Sequence, residues 1–547
     1  MQIIIPMSGV GQRFINAGYQ QPKPLIEIDG KPIIQHVVEL FPGESNFTFI
    51  CNQPHLEQTP MRDVLNALAP SAQIVAIDSH KLGPVYAVAQ VFDRIKDDEE
   101  VIVNYCDFGT YWDYFDFLKH TRDRDADGAI PAYKGFHPHM LGSTNYAFMR
   151  DEKQWMREIK EKSPFTDDRT QEYASNGTYY FKQGRYVKKY FNALMEQKHH
   201  LKGEYYVSLV YNLLIQDQRK VSIYEIQHML QWGTPQDVSE YMAWSHYFRH
   251  ILSKTQAIPR LKNSVTLIPL AGRGSRFVKE GYKTPKPLLD VSGKPMIIQA
   301  NQSLPSSEKN RYVCLQEHIN NYHLDKKLRD YQPDCDVISI NQVTEGQAIT
   351  CQLGLEGVDE NASLTIGACD NGMLWDAEKY QQLITDETID GIIWTFVNHP
   401  SSRNHPEMYG WVKTCDAIAT GVSVKKAISE TPEKDHAVVG TFWFRRVSLF
   451  QKGLAYLLEN NVRINNEFYV DSLMDALITL NYRIAVFPVD AYLGWGTPSD
   501  YETFRYWQSY FHKTSSHAYQ LQQDPTVESE KIATLEKTFF KFKQKFV

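Results

Sequence analysis

The sequence has little cysteine, and none of it is spaced as a metal or disulfide framework would need. Its seven cysteines, Cys51, Cys106, Cys314, Cys335, Cys351, Cys369 and Cys415, are scattered, odd in number and never form CxxC. That argues against a disulfide scaffold and a zinc site, and reads as a reducing compartment. A long apolar run is also missing: none approaches the roughly 18 residues that span a bilayer. Met1-Gln2-Ile3-Ile4-Ile5-Pro6 has neither the length nor the basic flank of a signal peptide, so the expected location is the cytoplasm. No excess of one charge exists either. With 58 Lys and Arg against 65 Asp and Glu the net charge is −7, which gives no bulk reason to bind nucleic acid or an anionic membrane. Any anion site must be local. What the chain does have is core-forming material: 547 residues, 42% hydrophobic and 22% charged, an ordinary globular composition long enough for more than one domain.

The chain repeats itself. Ile4-Ile5-Pro6-Met7-Ser8-Gly9-Val10-Gly11-Gln12-Arg13-Phe14 is echoed by Leu267-Ile268-Pro269-Leu270-Ala271-Gly272-Arg273-Gly274-Ser275-Arg276-Phe277. The same shift of 263 residues carries Lys23 in PKPL onto Lys286, Gly83 onto Gly346 and Asp107 onto Asp370. It also carries Gly177-Thr178 onto Gly440-Thr441, Glu204 onto Glu467, and Trp232-Gly233-Thr234-Pro235 onto Trp495-Gly496-Thr497-Pro498. Each copy is too long for a solenoid repeat and reads as a domain. The expected boundaries are 1–249 and 264–512, with a linker at 250–263 and a tail at 513–547. Short β-rich runs (Gln2 to Pro6, Phe47 to Cys51, Ile74 to Ile77, Val101 to Tyr105) alternate with helix-period segments (Ile33 to Leu40, Met61 to Leu68). This is the pattern of an α/β fold with a mainly parallel sheet covered by helices, whose chemistry sits at the carboxyl ends of strands.

Gly9 and Gly11, like Gly272 and Gly274, directly follow a first strand, where backbone N–H groups can face a phosphate without Cβ atoms in the way. The loop lacks the third glycine of a dinucleotide fingerprint and the Gly-Lys-Ser/Thr of a Walker loop. Lys23 and Lys286 each stand between two prolines that hold the backbone extended. Arg13 and Arg276 add a permanently charged fork beside the glycines. Val101 to Asp107 and Leu364 to Asp370 are apolar strands ending in an acid. Cys106 and Cys369, next to these acids, read as small buried residues and not as nucleophiles.

GxGxRF, PKPL and GKP after a first strand resemble the nucleotidyltransferase (NDP-sugar pyrophosphorylase) superfamily. The Pro-Met/Leu-Ser/Ala-Gly start and the Trp-Gly-Thr-Pro finish look most like a branch found in bacterial capsule and lipopolysaccharide gene clusters, which includes cytidylyltransferases acting on phosphocholine-like and other non-sugar acceptors. The resemblance implies two tandem Rossmann-like, GT-A-like domains. It further implies Mg²⁺-dependent transfer of a nucleotidyl group from an NTP (CTP, UTP or dTTP, undecided) to a small phosphorylated acceptor, releasing pyrophosphate. By the same resemblance Arg13, Lys23, Arg276 and Lys286 are catalytic, and Asp107 and Asp370 hold the metal. Gly9, Gly11, Gly83, Gly272, Gly274 and Gly346 contact the nucleotide, while Lys162, Gly177, Glu204, Lys425, Gly440 and Glu467 contact the acceptor. Glu204 and Glu467 either grip an acceptor hydroxyl or amine or are ordinary structural acids.

Where many relatives carry a second metal-binding Asp, this sequence has Gln231 and Gly494; Asp237 and Asp500 read as helix caps, since a helix-period segment follows them. His137, His139, His399 and His405 do not stay in register and read as surface or pocket residues. In the tail, Ile532, Leu535, Phe539, Phe542 and Phe546 recur at helical spacing with Lys537, Lys541, Lys543 and Lys545 between them. That amphipathic helix is expected to pack on the second domain or on another subunit, as in a homo-oligomer, in preference to a membrane. Two other readings stay open: one copy catalytic with the other a binding or scaffold domain, or a GT-A glycosyltransferase, against which Asp107-Phe108-Gly109 and Asp370-Asn371-Gly372 supply no Asp-x-Asp motif.

Overall fold

A computed structural model describes residues 1–253 and 260–540. The chain divides into two compact units: residues 1–246 with 513–517, and residues 247–512 with 518–538. Part of the expected linker, 254–259, and Lys541, Phe542, Lys543, Lys545 and Phe546 of the expected tail helix lie outside the described residues.

The first unit is built on one ten-stranded sheet, in the order Tyr173–Ser175, Ala147–Glu152, Trp155–Glu161, Val221–Glu225, Gly128–Tyr133, Thr178–Phe181, Val101–Asn104, Gln2–Met7, Phe47–Asn52 and Gln73–Ile77. At the glycine-loop end the strands Val101–Asn104, Gln2–Met7, Phe47–Asn52 and Gln73–Ile77 pair in parallel. The apolar residues of the three inner strands are buried on both faces, as a sheet covered by helices requires, while the edge strand Gln73–Ile77 stays partly exposed. The other end is not parallel as expected but mostly antiparallel. The local cause is a two-residue turn: Lys153 and Gln154 both take positive φ (52° and 62°), the geometry that returns a strand beside itself. The α/β class holds, with a mixed sheet.

The second unit repeats this order strand for strand, from Gly410–Cys415 through Ile418–Val424, Ile484–Pro488, Gly391–Phe396, His436–Phe444, Ser363–Ile366, Leu261–Leu270 and Ser307–Leu315 to Asp336–Ile340. It counts nine strands because His436–Phe444 runs unbroken where the first unit has two strands flanking Asn176-Gly177. The two-residue turn recurs at Asp416 and Ala417 (φ 49° and 61°). The tail forms a helix over Ile532–Phe540; Leu535 is buried, and Lys531 and Leu535 lie against Gly293 of the second unit. Among the described residues no helix is long and apolar enough to cross a membrane.

Candidate functional site

In each unit the first strand delivers a loop whose second glycine is left-handed: Gly11 at φ 74°, ψ 37° and Gly274 at φ 61°, ψ 36°. An L side chain is strained there. A Cβ would also meet the lysine of the PKPL segment, at 3.7 Å from Lys23 Cβ and 3.1 Å from Lys286 Cβ. The glycine therefore lets the loop and the lysine lie side by side. Lys23 and Lys286 each begin a short 3-10 turn after the preceding proline. They reach across to the acid that ends the fourth parallel strand: Lys23 Nζ donates to Asp107 Oδ2 at 2.8 Å and Lys286 Nζ to Asp370 Oδ2 at 2.7 Å. Burial opposes each ammonium charge, yet the carboxylate beside it prevails and holds both lysines above their ordinary value. Burial pushes the neighbouring Cys106 and Cys369 thiols up to about 11, so neither is poised as a nucleophile.

The Trp-Gly-Thr-Pro motif pins this acid. Trp232 N–H donates to Asp107 O at 3.0 Å and Trp495 N–H to Asp370 O at 2.8 Å. Each indole fills the space over a glycine, since a Cβ on Gly109 or Gly372 would lie 2.7 Å from it. The motif's own glycine lies beside the carboxylate: a Cβ on Gly233 would be 3.5 Å from Asp107 Oδ2, and one on Gly496 3.0 Å from Asp370 Oδ2. Asp237 and Asp500 are not the caps the sequence suggested. Thr234 and Thr497 supply the capping oxygen to the Asp N–H at 3.2 and 3.1 Å, which leaves both carboxylates facing the motif. Asp237 Oδ2 accepts from Thr234 Oγ1 at 2.6 Å and from Gln231 Nε2 at 2.8 Å; Asp500 Oδ2 accepts from Thr497 Oγ1 at 2.7 Å. Burial, with a push from Asp107 and Asp370, holds both acids above their ordinary value.

In the first unit these groups line a cavity of about 440 Å³ that gathers Gly11, Arg13, Lys23, Asp107, Lys162, Gly177 and Glu204. Gly177 takes φ 105° and lets Phe108 approach within 2.8 Å of where a Cβ would be; its counterpart Gly440 takes φ 92° beside Ala368. Lys162 Nζ donates to Tyr206 Oη at 2.6 Å, and that hydroxyl donates to Glu204. The trio recurs in the second unit, where Lys425 Nζ lies 4.9 Å from the Tyr469 ring centre and Glu467 helps hold the Tyr469 hydroxyl up.

Gly9 and Gly272 are exposed with open space around them. Gly83 and Gly346 do not line this cavity; they take φ 87° and 123° with the backbone of the Glu-aromatic-Tyr segment against them, Tyr205 N at 2.7 Å and Phe468 N at 2.5 Å from a Cβ. Close backbone approach accounts for both glycines. A larger cavity of about 700 Å³ in the second unit, beside Trp375 and Trp495, contains none of Arg276, Lys286 and Asp370.

The histidines differ from expectation. His137 and His399 are structural counterparts one residue out of register. Each precedes a short helical turn, Pro138–Leu141 or Pro400–Asn404, and packs on a strand-end ring, Tyr133 at 4.4 Å or Phe396 at 5.5 Å. Burial lowers both to about 4, so they are neutral packing groups. Sequence reasoning missed Glu161, Ser208 and Asp471; their only signal was that two of them exchange character between copies.

Residues 3–168 match the MobA-like NTP transferase domain. Among solved structures, the nucleoside-diphosphate-sugar pyrophosphorylase from Vibrio cholerae RC9 is similar over 44% of this chain and 99% of its own, with 21% identity and a TM-score of 0.38. The inositol-1-phosphate CTP transferase from T. maritima is similar over 50% of this chain and 100% of its own (12%, 0.37). The UDP-glucose pyrophosphorylase from Acinetobacter baumanii is similar over 46% and 93% (16%, 0.35). No curated protein matches the chain.

The site offers few protein donors to an ion: among the described residues no group of three His, Cys, Asp or Glu side chains converges. One carboxylate, Asp107, with Asp237 behind the motif glycine, suits Mg²⁺, which keeps water and takes substrate phosphates alongside one or two carboxylates.

Proposed function

We propose that each unit transfers a nucleotidyl group from an NTP to a phosphorylated acceptor. The observation that carries this reading is the Lys–Asp pair at the glycine loop, formed at 2.8 Å in one unit and 2.7 Å in the other. In the first unit the same cavity also holds Arg13 and Lys162. An oxygen of the acceptor phosphate attacks the α-phosphorus, the bond from that phosphorus to the bridging oxygen of the β-phosphate breaks, and pyrophosphate leaves with the electron pair. The acceptor is already an anion, so no side chain has to act as nucleophile or base. The backbone N–H groups of the glycine loop, Arg13 and Lys23 face the triphosphate and stabilise the charge that grows on the leaving oxygens. Lys162 and Lys425 orient the acceptor phosphate. Asp107 and Asp370 would hold Mg²⁺, which when bound supplies further neutralisation of the triphosphate. In the free protein Lys23 is occupied with Asp107; engagement of that acid by an ion would free the ammonium for the phosphates.

The test is pyrophosphate release by the full chain given Mg²⁺, each of the four NTPs and a panel of phosphomonoesters. Lys23→Ala is expected to remove the first unit's share and Lys286→Ala the second's, each by about 10²- to 10³-fold in the affected unit. Unchanged release in both variants would refute the assignment.

A further inference from the structure

The cavity of about 700 Å³ beside Trp375 and Trp495 is lined wholly by residues of the second unit and is of a size that takes a small organic molecule. Its lining is acidic. Asp376, Glu378 and Asp490 contribute carboxylates, and among the described residues that line it there is no lysine or arginine, only His250 as a base. Asp376 caps its own helix and lies 3.4 Å from Lys379, whereas Glu378 and Asp490 form no ion pair among the described residues. The rings of Trp375, Trp495 and Phe504 supply apolar walls. No three acids or histidines converge among the described residues, so the negative charge is spread along the cavity and complements an extended cation better than a metal ion.

The first unit fills the corresponding place with an ammonium of its own chain. The shift of 263 residues carries His250, the last residue of helix Pro235–His250, onto Lys513, the last residue of helix Pro498–Lys513. It also carries Gln227 onto Asp490 and Tyr111 onto Leu374. Lys513 Nζ donates to Gln227 Oε1 at 2.9 Å and to Phe539 O at 2.7 Å, and stands 5.9 Å from the centre of the Tyr111 ring. All four of these residues belong to the first unit. In the second unit the lysine is replaced by His250 and the glutamine by Asp490, so the built-in cation is gone and an acid has been added. Space is added too: Leu374 stands where the first unit has Tyr111, and Ser303 where it has Leu40. Interiors otherwise pack closely, and the smaller side chains leave room for an occupant from outside.

We infer that this cavity of the second unit binds a free di- or polyamine, whose ammonium groups are taken by Asp490 and Glu378 and whose methylene chain lies on the tryptophan and phenylalanine rings. Carboxylates and ring faces complement such a cation by charge and by cation–π attraction, and the first unit already seats a lysine ammonium in the equivalent place. The cavity adjoins the proposed catalytic acid without including it. Gly372, two residues after Asp370, lines it, and so does Trp495, whose N–H donates to Asp370 O. An occupant therefore touches the frame that carries Asp370 while leaving the nucleotide and acceptor positions open.

The test is calorimetric titration of the full chain with putrescine and spermidine, against 1,4-butanediol, which replaces both ammonium groups of putrescine by hydroxyls. The titrations are run at about 0.15 M salt, where diffuse attraction to a chain of net charge −7 is screened. At least one of the two amines is expected to bind at one site per chain and about 10-fold or more tightly than the diol. Glu378→Gln with Asp490→Gln should lower that affinity about 10-fold or more; both side chains are exposed, so the variant keeps the fold. His250→Lys should lower it as well, because it restores the built-in ammonium that Lys513 gives the first unit. Equal affinity for diol and diamine would mark a site for neutral hydroxylated ligands and overturn the inference. So would an affinity unchanged in the double variant or in His250→Lys, or binding spread over many weak sites. Calorimetry needs no turnover, so this inference and the proposed transferase activity fail separately.

Discussion

Glu161, a buried acid lining the first unit's cavity, opposes stability once it ionises. Burial pushes its carboxyl up to about 7 from an ordinary 4.5, against the Ser208 hydrogen bond and the Lys162 charge that favour ionisation. A carboxyl whose folded value is raised holds its proton more tightly in the native state. Its stabilising contribution is complete below about pH 4.5 and is lost as the pH rises through about 7. Glu161→Gln keeps the shape and removes the titration. The variant should therefore be more stable than the wild type at pH 8, by on the order of 3 kcal/mol in the first unit, with the gap closing towards pH 4.5. Scanning calorimetry of both proteins at the two pH values measures this. A gap that is constant with pH would show that the acid does not titrate in this window.

At the scale of elements, the short loop before the fifth α-helix of each unit, Pro84–Ala89 and Gln347–Gly354, is held by a glycine that packing requires. Gly83 and Gly346 combine φ of 87° and 123° with ψ near 180°, a region that only glycine enters without strain of about 1–3 kcal/mol. The adjoining strand-like segment closes over them, with Tyr205 N–H donating to Leu82 O at 2.9 Å and Phe468 N–H to Glu345 O at 2.8 Å. Gly83→Ala and Gly346→Ala should each lower the melting temperature of their own unit, and the damage should extend to the Glu-aromatic-Tyr segment, including Glu204 or Glu467. Hydrogen exchange of the Tyr205 and Phe468 amides reports it; full protection in the variants would contradict the packing account.

The same elements show what could be read in advance. The strands at 2–7, 47–52 and 101–104 were legible because a strand buried on both faces needs an unbroken apolar run, the partly exposed edge strand at 73–77 because its run Ile74 to Ile77 is β-rich, and helix Met61–Leu68 because its apolar positions repeat at helical spacing. The antiparallel half was not, because its turns use Lys153-Gln154 and Asp416-Ala417 in place of the Asn-Gly or Asp-Gly that mark such turns. Asp237 and Asp500 were misread because the capping oxygen belongs to a threonine three residues earlier. Glu161 and Asp471 each align at the fixed offset with an uncharged residue, Val424 and Ser208, so neither stood out as a residue shared by the two copies.

For the molecule as a whole, duplication makes a stoichiometric claim. The glycine loop, the lysine–aspartate pair and the tryptophan that pins the aspartate occur in both units with nearly the same geometry, and the Lys–Tyr–Glu trio recurs with Lys425 over the Tyr469 ring where Lys162 donates to the Tyr206 hydroxyl. Neither unit borrows a residue of this set from the other, since each set falls wholly within its own unit. Two metal–nucleotide sites per chain are therefore expected, each dependent on its own aspartate. Titration with Mn²⁺ in the presence of a non-hydrolysable NTP analogue, followed by electron paramagnetic resonance, should count two tightly held ions in the wild type. Asp107→Asn and Asp370→Asn should each leave one, and the double variant none. The count separates the duplicated-enzyme reading from its main rival, because a scaffold copy that has lost the nucleotide would leave the wild type with one ion and make one of the two single variants silent.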